Sequence, residues 1–141
     1  MFEKQLTIAV DFDGTIVEDA YPRIGKPKIF AFETLKMLES KNHRLILWTY
    51  RHGPRLQEAV DFCKEHGIEF YAVNKSYPEE AFDEAESSRK INADLFIDDR
   101  NIGGFLGWGE IYQLIEGNKD ALMNEHKSRS KPGIFSLFNK K

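Results

Sequence analysis

The run Gln5-Leu6-Thr7-Ile8-Ala9-Val10-Asp11-Phe12-Asp13-Gly14-Thr15 decides how this chain is read. Its first half is mostly apolar, at Leu6, Ile8, Ala9 and Val10, and it stops at a carboxylate. A strand inside a parallel sheet is covered on both faces, so near-continuous apolar character is what such a strand shows. Gly14 then breaks the pattern. Asp11 and Asp13 stand two apart in extended backbone, which sends both carboxylates to one side and Phe12 to the other. Two like charges that close need a cation or a shared proton between them.

Working outward, residues 15–28 read as a flap-sized loop punctuated by Pro22, Gly25 and Pro27. The stretch Ile29 to Lys41 predicts a helix whose apolar stripe is Phe30, Phe32, Leu35, Met37 and Leu38. Arg44 to Thr49 predicts a second strand. Pro54 to His66 predicts a second helix, with Pro54 in the first turn and Gly67 at the C-terminal cap. Ile68 to Val73 predicts a third strand. Residues 74–90 are polar and acidic, with Glu79 to Glu86 as a solvated face. Ala93 to Ile97 predicts a fourth strand ending at Asp98 and Asp99, and Gly109 to Glu116 a last short element. Strands alternating with helices point to an α/β fold with a mainly parallel sheet and crossover helices.

The bulk numbers bound the classes. At 141 residues the chain is long enough to bury a core without disulfides or structural metals. A composition of 41% hydrophobic and 30% charged residues is ordinary for a globular protein and excludes collagen-like and low-complexity chains. A net charge of −3 gives no support to nucleic acid as an obligate partner. Cys63 has no second cysteine to pair with, which fits a reducing compartment, and its place on the second helix turns it toward the core. Met1 to Leu6 lacks the apolar core of a signal peptide, and no apolar run approaches the ~20 residues that span a bilayer. The expectation is a soluble, cytoplasmic protein with its catalytic domain over 1–116 and a tail over 117–141. That tail mixes lysines with Ile134, Phe135, Leu137 and Phe138.

In open α/β sheets the ligand crevice lies beyond the carboxyl ends of the strands. Asp11, Thr49 and Asp98 each stand at that end of an expected strand, and Asp99 follows. Acidic groups gathered at one sheet edge make a hard-oxygen site suited to Mg²⁺, which takes one or two carboxylates plus waters and phosphate oxygens. Thr49 could donate its hydroxyl to a phosphate oxygen, Lys90 could supply positive charge, and Arg51 could reach a substrate anion. A nucleophile, a metal clamp and cationic neutralisation are the parts that phosphoryl transfer requires. His43, His52 and His66 have no metal-ligand spacing and read as structural or surface residues.

The order and setting of these residues resemble the haloacid dehalogenase superfamily. Its first motif, aspartate-x-aspartate-glycine-threonine after the first strand, is matched by Asp11 to Thr15. Its strand-ending serine or threonine is matched by Thr49, its lysine ahead of the fourth strand by Lys90, and its acidic pair by Asp98-Asp99. The resemblance covers residues 5–116. It implies a three-layer Rossmann-like sandwich and a phosphatase in which Asp11 attacks phosphorus and forms an aspartyl-phosphate. Asp13 would protonate the leaving group and then activate water. Mg²⁺ would be held by Asp11, the backbone carbonyl of Asp13 and Asp98, with Asp99 a ligand or the partner of one. Thr49 and Lys90 would grip the phosphoryl group. Larger members insert a cap domain after the first motif or between the second and third. Thr15 to Lys28 and Ser76 to Arg89 are both too short for one, so the chain resembles the capless members. An uncapped site could accept a small molecule or a macromolecule, or a neighbouring subunit could act as its lid.

Two other functions use similar parts. A phospho-aspartate receiver also carries an acidic pair, an acceptor aspartate, a hydroxyl and a lysine, but there the acidic pair follows the first strand. Here the Asp-x-Asp comes first and the pair comes last. A non-catalytic binding module on the same fold would keep the sheet without binding Mg²⁺.

Overall fold

The computed structural model of the protein describes residues 4–117. Apart from Gly117, the expected tail lies outside the described residues. The chain divides into two compact units, one ending at Phe105 and the other beginning at Leu106.

The first unit holds four strands and two helices: β1 (Thr7–Val10), α1 (Ala31–Ser40), β2 (Arg44–Leu47), α2 (Gly53–Glu65), β3 (Ala72–Val73) and β4 (Leu95–Ile97). The strands form one sheet in the order β3-β2-β1-β4, and every neighbouring pair is parallel. This is the α/β class that the alternation predicts. Ile8, Ala9 and Val10 on β1 and Leu45, Ile46 and Leu47 on β2 are all buried, which is why these strands read as unbroken apolar runs. Each Ile, Val or Leu among them contributes about 1.5–3 kcal/mol on burial. The strands are shorter than expected. Gly67, at φ 88, reverses the chain after α2, and residues 68–71 bring it back before the ladder begins at Ile46↔Ala72.

α1 buries Ala31, Phe32, Thr34, Leu35 and Leu38 and starts two residues later than the periodicity predicts. The reason is Phe30, which sits at the N-cap with φ 67 and leaves its ring exposed. Met37 lies off the Leu35–Leu38 stripe and is also exposed. α2 begins at Gly53, with Pro54 in its first turn. It closes through Ile68 N–H donating to the Cys63 carbonyl, with Gly67 in the left-handed conformation that favours glycine. Cys63 faces the core, and burial pushes its thiol up to about 12, which leaves it inert. His43 is structural: its Nδ1 accepts from the Leu6 N–H at 3.0 Å.

The second unit contains α3 (Trp108–Tyr112), which runs into a π-helical turn over Gln113–Gly117. Its buried residues Trp108, Ile111 and Ile115 fall on one helical stripe. No helix among the described residues is long and apolar enough to cross a membrane.

Candidate active site

Strand register places the site. Val10 is level with Leu47 on one side and Ile97 on the other, and Leu47 is level with Val73. The next residues, Asp11, Trp48, Asp98 and Asn74, therefore stand side by side at the carboxyl edge. Backbone bonds extend the ladder to that edge: Asp11 N–H donates to Ile97 at 3.0 Å, Trp48 N–H to Val10 at 2.9 Å and Asn74 N–H to Leu47 at 2.7 Å. Strand order reverses between β1 and β4, since β2 and β3 lie on one side of β1 and β4 on the other. Such a switch point is where open sheets form their ligand crevice. Asp11 and the Asp98-Asp99 pair flank it.

Carboxylate oxygens of Asp11, Asp98 and Asp99 lie within 4.8 Å of one another, and all three residues are half-buried. The Thr15 hydroxyl ties two of them together, at 3.0 Å from Asp11 Oδ2 and 3.1 Å from Asp99 Oδ1, and accepts from the Asp99 N–H at 3.0 Å. Gly14 makes this approach possible. Its φ is 86, and a Cβ there would run into the Asp99 carboxylate. An all-carboxylate donor set of this kind could hold a hard divalent cation.

Without a cation the cluster is electrostatically strained. Burial, followed by the charge of Asp98, raises the Asp11 carboxyl from 3.8 to about 7. The folded protein thus keeps a proton on Asp11 at pH values where the unfolded chain has lost it. The resulting stability is fully present below about pH 4, declines as pH rises, and is gone above about 7. In chelator, the melting temperature of the wild type relative to Asp11→Asn is expected to fall between pH 4 and pH 7 and then level off. A difference that stays flat or rises across that window would contradict the raised carboxyl.

Asp13 is held differently. Arg51 Nε and Nη2 donate to its two carboxylate oxygens at 2.7 Å each. The same guanidinium donates to the Arg23 carbonyl at 2.9 Å and the Arg55 carbonyl at 3.3 Å. It also lies over the rings of Phe12 and Tyr21, at 5.2 and 5.1 Å. Only 1% of Arg51 is exposed. The bonds to Asp13 raise its pKa further above the ordinary guanidinium value. Arg51, expected to reach a substrate anion, is therefore committed to Asp13, the flap and the first turn of α2.

Thr49 sits on the loop after β2, and its hydroxyl accepts from the Arg51 N–H at 3.2 Å. Asn74 braces that loop from the end of β3. Its Oδ1 accepts from the Thr49 N–H at 2.8 Å, and its Nδ2 donates to the Arg51 carbonyl at 3.3 Å. Asn74 has φ 55, a conformation that asparagine tolerates better than most residues. The flap is a small hairpin closed by Glu18 N–H to Lys26 and Lys28 N–H to Ile16, each at 2.8 Å.

A cavity of ≈ 770 Å³ opens at this edge. Asp11, Asp13, Thr49 and Asp98 line it, together with Asp19, Tyr21, Trp48, Tyr50 and Arg100. Asp99 stands behind, bonded to Thr15. Lys90 is not among the lining residues, and its ammonium lies 5.7 Å from the centre of the Phe96 ring. Sequence alone assigns no role to Thr15, Tyr21, Tyr50, Asn74 or Arg100. A signal existed for two of them, since Thr15 ends the Asp11 motif and Arg100 follows the acidic pair.

No protein-family model matches the chain. No curated protein matches it. Among solved structures the chain is similar to a conserved protein from Bacteroides thetaiotaomicron, at 58% identity and a TM-score of 0.76 over 81% of this chain and 92% of that one. The chain belongs to the family of that conserved protein.

Proposed function

We propose that the chain is a Mg²⁺-dependent phosphohydrolase of the haloacid dehalogenase superfamily, with a capless three-layer Rossmann-like body. One observation carries this reading. Carboxylates from the ends of two neighbouring strands converge within 4.8 Å beside a cavity that also exposes Asp13 and Thr49. The donor set fits Mg²⁺: all the ligating atoms are oxygens, and burial, followed by the charge of Asp98, raises the Asp11 carboxyl to about 7. Asp11, Asp98 and the backbone carbonyl of Asp13 would hold the ion, with Asp99 fixed beside them through Thr15. When bound, Mg²⁺ offsets the charge of the phosphoryl oxygens and of the attacking carboxylate.

The chain's own residues do the rest. A carboxylate oxygen of Asp11 attacks phosphorus, and the bond to the leaving oxygen breaks. Asp13 gives that oxygen a proton that it must first take up, since Arg51 donates to both of its oxygens in the resting site. Asp13, now a carboxylate, takes a proton from water, and the water oxygen attacks phosphorus. Inorganic phosphate leaves and Asp11 is regenerated. The Thr49 hydroxyl can donate to a phosphoryl oxygen. The resemblance also implies a lysine there, but the geometry lends Lys90 no support.

The purified chain is expected to release inorganic phosphate from an aryl phosphate with Mg²⁺ and to lose at least about 100-fold of that rate in chelator. Absence of Mg²⁺-dependent turnover across a diverse phosphate panel would sink the reading.

A further inference from the structure

The cavity lining is not carboxylate alone. Trp48, Tyr50 and Tyr21 line it beside the carboxylates, and they come from two separate segments, the loop after β2 and the flap. The Tyr21 and Tyr50 rings meet edge to face, with centroids 6.2 Å apart. Tyr21 is held from below by the Arg51 guanidinium at 5.1 Å. Trp48 packs partly against the core cluster of Ala9, Ile46, Ala72 and Ile91, so it presents a fixed surface to the cavity. Tyr50 is 83% exposed, a large aromatic face left open to water at the mouth of a reaction site. Aromatic side chains grouped in this way stack planar rings.

Charge narrows the ligand further. Four carboxylates line the cavity, Asp11, Asp13, Asp19 and Asp98, against one cation, Arg100. Arg100 itself lies 4.0 Å from Asp19. Arg51 is bound to Asp13, and Lys90 lies over Phe96. With Asp13 offset by Arg51 and Asp19 by Arg100, Asp11 and Asp98 remain to meet a divalent cation, and no positive surplus is left among the lining residues. Further anionic groups on the substrate would find, among the described residues that line the cavity, no cation without a carboxylate partner.

We propose that the substrate is a phosphomonoester whose leaving group carries a planar, uncharged ring, which Tyr50, Trp48 and Tyr21 receive. A nucleoside monophosphate and a phosphotyrosine share that chemistry. The assignment rests on the phosphatase reading above, and it disfavours polyphosphates and polynucleotide ends.

The test compares kcat/KM with Mg²⁺ for ribose 5-phosphate, adenosine 5′-monophosphate, adenosine 3′,5′-bisphosphate and O-phosphotyrosine. The first two differ only in the base. At least one ring-bearing monoester is expected to exceed ribose 5-phosphate by roughly tenfold or more, and the bisphosphate to fall below the monophosphate. Whichever ring-bearing monoester leads identifies the source of the ring. Tyr50→Ala is expected to move the ratio of that ester to ribose 5-phosphate toward one, while Tyr50→Phe retains it. Equal turnover with and without the ring, a preferred bisphosphate, or a ratio unmoved by Tyr50→Ala overturns the substrate assignment and leaves the phosphatase intact. No turnover of any of these esters, nor of an aryl phosphate, overturns the phosphatase reading itself.

Discussion

Asp11→Asn is expected to lower kcat by at least about 10⁴-fold while leaving the metal-free protein as stable as the wild type, or more so, at pH 8. The two effects have one origin. The carboxamide cannot form an acyl phosphate by the same attack, so the covalent route closes. It also removes one negative charge from a cluster in which burial and Asp98 already raise the Asp11 carboxyl to about 7. At pH 8 the wild type must ionise that carboxyl against its neighbours, and the amide does not. Stability and activity therefore move in opposite directions, which a merely structural aspartate would not produce. Titration calorimetry is expected to show weaker Mg²⁺ binding in the same variant, since one hard ligand oxygen carries less charge. Turnover within tenfold of the wild type would remove Asp11 as the nucleophile. A wild type that binds Mg²⁺ and keeps a long-lived phosphoryl group without turnover would instead favour the switch reading.

Much of this site was legible in the sequence because it is built at strand ends. Apolar runs that stop at Asp11, Thr49 and Asp98 mark where the chain leaves the sheet, and parallel strands all leave at one edge. That much follows from composition along short windows. Other features depend on how loops fold. The Arg51–Asp13 pair joins residues 38 apart and requires the turn after β2 to bring a guanidinium back beneath Phe12 and Tyr21. No local pattern encodes such a return, so Arg51 reads equally well as a substrate ligand. Asn74 is similar, because its bracing role depends on a left-handed backbone at the end of a strand only two residues long. Lys90 differs for the opposite reason. Its position before β4 fits the expected pattern, yet its ammonium lies 5.7 Å from the centre of the exposed Phe96 ring and Lys90 is not among the residues lining the cavity. Phe30 and Met37 show the same limit in the fold, where an apolar count at helical spacing could not distinguish core from exposed positions.

Arg51→Ala is expected to cost about 3 kcal/mol of stability, or roughly 10 °C in melting temperature, and to damage catalysis selectively. Removing the guanidinium leaves the half-buried Asp13 carboxylate without its two 2.7 Å partners and releases the Arg23 and Arg55 carbonyls. Arg51→Lys keeps the charge but loses the planar fork, so it should restore part of the stability and little of the aim of Asp13. Leaving-group chemistry separates that aim from general loosening. An alkyl leaving oxygen needs the proton that Asp13 delivers, whereas a p-nitrophenolate departs well without it. Since kcat/KM reports the first phosphoryl transfer, it is expected to fall in Arg51→Lys at least tenfold further for an alkyl phosphate than for p-nitrophenyl phosphate, measured below the melting transition. Equal losses on both esters would mean that Arg51 only holds the flap and α2 in place. A loss confined to KM, with kcat preserved, would return Arg51 to the substrate-binding role that the sequence suggests.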